Sequence, residues 1–143
     1  MTSDRALLEE VARREKARAA AKGIVGLIRE ELFDKQLAYI DDPAKRKCAL
    51  CTRRAGKTSM WCRYATIECI SGPKRLIRIW AISRLRAKQL LWEEFKDLFN
   101  RHKLTYPLRH MHETELTIRF ENGSEIRLLG ADKDKEVQKK RGD

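Results

Sequence analysis

The stretch Cys51-Thr52-Arg53-Arg54-Ala55-Gly56-Lys57-Thr58 decides the reading of this chain. It ends in Gly-Lys-Thr, follows a short apolar run (Lys47 to Cys51) read as a buried strand, and opens a segment with helical periodicity. A strand, a tight turn and a helix start are the setting in which consecutive backbone N–H groups wrap phosphate oxygens, helped by the positive end of the helix. Lys57 is placed to reach the β- and γ-phosphates, and Thr58 to offer its hydroxyl to Mg²⁺. The usual spacing is GxxxxGK[ST], and here Cys51 stands at the first glycine position. Two arginines in the loop add planar, permanently charged forks matched to phosphate.

Outward from the loop, Met60, Trp61, Tyr64, Ala65 and Ile67 recur at helical spacing over 57–70, and Ser71-Gly72-Pro73 ends the run. Residues 75–83 alternate in part and are rich in Ile and Trp, which predicts a strand. Ala87, Leu91, Phe95 and Leu98 form a helical stripe over 84–103. Strand, turn, helix, strand, helix argues for an α/β fold with a parallel sheet. Leu116, Ile118 and Phe120, then Asn122-Gly123, then Ile126 and Leu128 predict a β-hairpin closed by a two-residue turn. Upstream, Ser3 and Asp4 cap a long charged helix weakened at Gly23 and Gly26, and another short helix before Asp41-Asp42-Pro43 is expected over Glu30 to Ile40.

The 143 residues suit one domain or part of one, and 42% hydrophobic content suits a packed core. The net charge of +11 is concentrated: residues 35–90 hold 14 basic against three acidic residues, while residues 91–143 hold 11 of each. Polyanions, whether nucleotide phosphate or nucleic acid, are the natural partners of such a segment. No apolar run is long enough to span a membrane and the N-terminus has no secretory pattern, so a cytoplasmic protein with no membrane partner is expected.

Arg53-Arg54-Ala55-Gly56-Lys57-Thr58 resembles the deviant Walker A of the large subunit of viral terminases, the ATPase motors that package double-stranded DNA into phage heads. The resemblance covers about residues 30–143 and implies a P-loop NTPase domain of the RecA/ASCE type, with residues 1–29 as a helical arm or lid. It implies that Thr52, Arg53, Arg54, Ala55, Gly56, Lys57 and Thr58 cradle the phosphates of ATP, that Lys57 and Arg53 act in catalysis, and that Thr58 binds Mg²⁺. Phe33-Asp34-Lys35-Gln36 resembles the family's adenine-recognising segment, which implies that Phe33 covers the ring and Gln36 pairs with its edge. Leu128-Leu129-Gly130-Ala131-Asp132 and Arg141-Gly142 resemble the stretch before the family's Walker B.

No apolar strand ending in Asp-Glu occurs, and no carboxylate-rich nuclease region follows. The expectation is therefore the N-terminal part of a motor ATPase that binds ATP but lacks the carboxylates for hydrolysis. The family implies, for the complete protein in a bacterial host, double-stranded DNA, a small terminase subunit and a portal or procapsid as partners, and assembly into a ring. A helicase-like ATPase and a small basic DNA-binding protein without nucleotide chemistry are the alternatives.

Arg63, Lys74, Arg75, Arg78, Arg84, Arg86 and Lys88 are candidate DNA-phosphate contacts, against a solvated face packed on Trp80 and Trp92. Cys48, Cys51, Cys62 and Cys69 lack zinc-finger spacing, and a strand (Cys48), the loop (Cys51) and a helix (Cys62, Cys69) account for them. His110 and His112 could share a strand face as metal ligands, but a polar connection before the hairpin is preferred.

Overall fold

A computed structural model describes residues 2–104 and 108–131. The elements run α1 (Thr2–Glu30), α2 (Asp34–Asp41), α3 (Lys57–Ser71), β1 (Leu76–Ala81), α4 (Arg84–Ala87), a π-helical turn (Lys88–Trp92), α5 (Glu93–Arg101), β2 (Leu108–His112), β3 (Thr117–Phe120) and β4 (Glu125–Gly130). They form an α/β structure around one four-stranded sheet of order β1-β4-β3-β2.

The sheet is mixed rather than parallel. β1 runs parallel to β4, with Leu76 opposite Glu125 through to Ala81 opposite Gly130, while β2–β3 and β3–β4 are antiparallel. Two of its strands come from the hairpin and a third, β2, from the His110-x-His112 segment expected to be a polar connection. A single parallel pair therefore joins the hairpin to the strand–helix unit. The hairpin itself turns differently from expectation. Phe120 N–H donates to Ser124 C=O at 2.9 Å and Gly123 N–H to Phe120 C=O at 3.0 Å, leaving three loop residues with Gly123 at φ 85°. A three-residue loop closed by a left-handed glycine is the next commonest hairpin solution. It also frees the Asn122 amide to donate to Cys69 C=O at 2.6 Å and Gly72 C=O at 3.1 Å, capping the C-terminus of α3.

One face of the sheet carries Ile118, Phe120, Ile126 and Leu128, all essentially inaccessible, together with half-buried Ile77, Ile79 and Ala81. Onto it pack α3 through Met60, Cys62 and Cys69 and the α4–α5 segment through Leu91, Trp92, Phe95, Leu98 and Phe99. Phe99 meets Phe120 edge-on at 6.3 Å between ring centroids. The last turns of α1 join this core. Ile28 is fully buried, and Ala21, Ile24 and Val25 pack against it, so the arm is part of the core from about residue 21 onward. Gly23 and Gly26 do not interrupt the helix.

The strand expected at Lys47 to Cys51 does not form. These residues are irregular, and Cys48, Leu50 and Cys51 are exposed, Leu50 by 99%. A strand needs a neighbour to satisfy its backbone groups, and the outer edge of β1 is occupied by no described strand. Beside that edge, α3 and the α4–π segment leave an open groove of about 840 Å³, walled by Trp61, Tyr64, Ile79, Trp80 and Leu90. Among the described residues no helix is long and apolar enough to cross a membrane.

Candidate functional site: the loop at the start of α3

Gly56 is the hinge of the site. It is the N-cap of α3 with φ 74°, a left-handed conformation that glycine adopts without a Cβ penalty. Because its side chain is a hydrogen, no side chain caps α3. Two residues earlier Arg54 is also left-handed, at φ 62°, and the two positive-φ positions fold residues 52–56 into a compact loop. The first N–H groups of α3 have no intrahelical partner by construction and are directed at whatever occupies the loop.

Lys57 sits at the first helical position. Its ammonium donates to the carbonyls of Cys51 at 3.1 Å and Thr52 at 2.9 Å, so the loop is tied across its own mouth by the side chain expected to hold phosphate. Thr58 is exposed beside it, and Ala55 is half-buried. Arg53 and Arg54 are exposed and make no hydrogen bond to another described residue.

The second segment singled out by sequence meets this loop. Gln36, on the first turn of α2, is buried, and its amide donates to Gly56 C=O at 3.2 Å. Its carbonyl oxygen accepts the Phe33 N–H at 3.3 Å. A Cβ built on Gly56 would lie 2.9 Å from Gln36 Nε2 and 3.9 Å from Phe33 Cε1, so a side chain at 56 would displace the Gln36 amide from the position it holds against the loop. Phe33 keeps its ring half exposed. In this state both ends of the Gln36 amide are engaged by protein rather than presented outward.

Behind the loop lies an ion cluster that sequence reasoning missed. Arg63, one of the candidate DNA-phosphate contacts, is buried on α3. It donates to Glu31 at 2.6 and 2.9 Å and to Glu94 at 2.9 Å. It also contacts the Ser59 hydroxyl. Glu31 further accepts from Arg101 at 3.1 Å, and its other oxygen lies 2.8 Å from His102 Nε2. Burial acts to raise the Glu31 carboxyl's pKa, but the hydrogen bonds from Arg63 and Arg101 outweigh it and hold the group below its ordinary value. Glu94 is held down in the same way by Ser59 and Arg63 against burial. The cluster joins α1, α3 and α5. Arg63 falls three residues after Met60 and four before Ile67, on the apolar stripe of the helix, which was the signal that it turns inward.

Of the other candidate DNA contacts, Arg75 pairs with Glu68 at 2.8 Å, Lys88 pairs with Glu113 at 2.9 Å, and Arg84 donates to Thr114 C=O. Lys74 and Arg86 are exposed and Arg78 is half-buried. Trp92 lies in the core rather than on a face where arginines pack. His110 and His112 share one side of β2 with rings 5.4 Å apart. Cys48 is exposed rather than in a buried strand, whereas Cys62 and Cys69 are buried on α3 as expected. Among the described residues no three His, Cys, Asp or Glu side chains come together as a metal site. Asp132 and Arg141-Gly142 lie outside the described residues.

No family model, no curated protein and no solved structure matches this chain. The site therefore stands on its own geometry.

Proposed function

We propose that the chain binds the triphosphate of ATP in the loop 52–58, as the nucleotide-binding part of a P-loop ATPase of the terminase large-subunit type. The observation that carries this reading is the contact between Gln36 and Gly56: two segments far apart in sequence, each expected to touch one end of the same nucleotide, lie against each other. An uncapped helix start, two left-handed loop residues and a lysine at the first helical position supply the donors that a polyphosphate needs.

On binding, the Lys57 ammonium exchanges the Cys51 and Thr52 carbonyls for phosphate oxygens, a trade of neutral acceptors for charged ones. Arg53 and Arg54, exposed on the loop, add positive charge around the γ-phosphate. Thr58, exposed next to Lys57, would hold Mg²⁺ alongside the nucleotide, and the bound ion would neutralise phosphate charge. Phe33, half exposed next to Gly56, is the apolar surface nearest the loop on which a base could rest. Gln36 would have to release one of its two protein partners to pair with adenine. In the complete protein this binding would drive translocation of double-stranded DNA, with the small subunit and portal as further partners.

The test is titration of a fluorescent ATP analogue with Mg²⁺ into the wild type and Lys57→Ala. A loss of about tenfold or more in affinity, roughly 1.4 kcal/mol, is expected. Equal affinity of the two would remove the loop from the argument. Binding of duplex DNA with steep salt dependence and indifference to ATP would favour the basic-module alternative.

A further inference from the structure

Cys48 and Cys51 belong to neither the core nor the phosphate cradle, yet they stand at its threshold. Both are exposed, separated by Ala49 and Leu50. Residues 45–51 make no backbone-to-backbone hydrogen bond with another described residue, so no sheet or helix register holds the two cysteines apart. The segment is pinned at both ends by lysines. Lys47 donates to the carbonyls of Tyr39 at 2.8 Å and Ile40 at 2.9 Å, and Lys57 holds the carbonyls of Cys51 and Thr52. The other two cysteines are different in kind. Cys62 and Cys69 are buried on α3, and burial pushes both thiols up, Cys69 to about 12. They are poor nucleophiles, since the thiolate is the reacting species.

We propose that Cys48 and Cys51 are a reversible dithiol–disulfide pair that locks the phosphate loop, with a small anionic disulfide as oxidant. Lys45 and Arg46 precede the pair and Arg53 and Arg54 follow it along the chain, all four exposed, and their charge draws such an anion in. One cysteine thiolate attacks a sulfur of the oxidant, forming a mixed disulfide and releasing one thiol. The second cysteine's thiolate attacks the protein sulfur of that mixed disulfide, forming the Cys48–Cys51 bond and releasing the second thiol. The two electrons and two protons given up by the cysteines end on the two released thiols. A ring closed over residues 48–51 fixes the backbone of Cys51, whose carbonyl Lys57 already holds, and so favours the state in which the ammonium is tied to the loop.

The disulfide chemistry stands apart from the nucleotide reading; its effect on nucleotide rests on that reading. The experiment incubates the reduced full chain with glutathione disulfide and follows intact mass and peptide maps. The expected product is lighter by two hydrogen atoms, carries a Cys48–Cys51 cross-link and is reversed by dithiothreitol. Cys48→Ser and Cys51→Ser should each stop at a glutathione adduct on the remaining partner. A glutathione adduct that persists on either cysteine of the wild type, cross-links between chains, or consumption of Cys62 or Cys69 in preference would overturn the pairing. In a second arm, the oxidised chain should bind the fluorescent ATP analogue about tenfold more weakly, recovering on reduction. Unchanged affinity with the cross-link formed would overturn the locking of the loop. A reduced chain that does not bind the analogue would count against the nucleotide reading and leave the mass result to decide the pairing.

Discussion

Gly56 carries two constraints at once, a left-handed backbone and a neighbour, Gln36 Nε2, where a side chain would begin. Gly56→Ala should therefore cost about 1–2 kcal/mol from the backbone alone. It should also displace the Gln36 amide from Gly56 C=O, so nucleotide affinity should fall along with the urea midpoint. Gln36→Leu separates the two effects. It removes the donor to Gly56 C=O but keeps α2 helical, and an ATP-analogue affinity equal to wild type would show that the contact is only structural. Arg63 is the residue whose role changed most. Arg63→Met leaves Glu31 and Glu94 without their principal partner in a partly buried site. A loss of about 2–3 kcal/mol in urea denaturation is expected, with no specific loss of DNA affinity.

At the scale of elements, the same ion cluster makes the docking of α1 and α5 onto α3 sensitive to acid. Glu31 and Glu94 have native pKa values below the ordinary 4.5, so their contribution is fully present above that pH and is lost as pH falls through the lower native values. Urea midpoints measured down a pH series should drop below about pH 4.5 in the wild type and drop less in Glu31→Gln. Much of this level was legible in the sequence. The helical spacing of Met60 to Ile67 and the alternation of Leu116 to Phe120 each mark the element they form, because local pattern and tertiary burial agree there, whereas Asn122-Gly123 marks the place of the turn but not its three-residue form. What was not legible depends on partners distant in the chain. Lys47 to Cys51 has the composition of a strand but no described strand beside it, and Leu108–His112 has little strand character but a partner in β3. Likewise, the loop's residue types were readable, whereas its contact with Gln36 and the inward turn of Arg63 appear only once α1, α2 and α3 are packed.

For the whole molecule, the sheet divides surface from core asymmetrically. One face is covered by helices, and the other carries Leu76, Arg78 and Trp80 of β1 with the Arg119–Glu125–Arg127 ion chain of the hairpin. Among the described residues no strand pairs with the outer edge of β1, which lies beside apolar side chains, with Leu76 exposed by 52% and Trp80 by 45%. Such edges template pairing with other chains. Light scattering should show association rising with protein concentration, and Trp80→Lys should reduce it by placing a charge on that edge; an unaffected profile would place the association elsewhere.

Helix α1 has a mechanical consequence of its own. Its last turns are clamped by Ile28 and the Arg29–Asp41 pair, at 2.7 Å, while residues 4–20 are almost wholly exposed. At ~1.5 Å per residue, the exposed part is a rod of roughly 25 Å fixed at one end. A rotation of about five degrees at the clamp would sweep its tip through roughly 2 Å. Glu31, at the base of the rod, bonds to Arg63 two turns behind the phosphate loop. The rod is thus a pointer geared to α3, and a spin label near Leu7 would register, amplified, any shift of that helix.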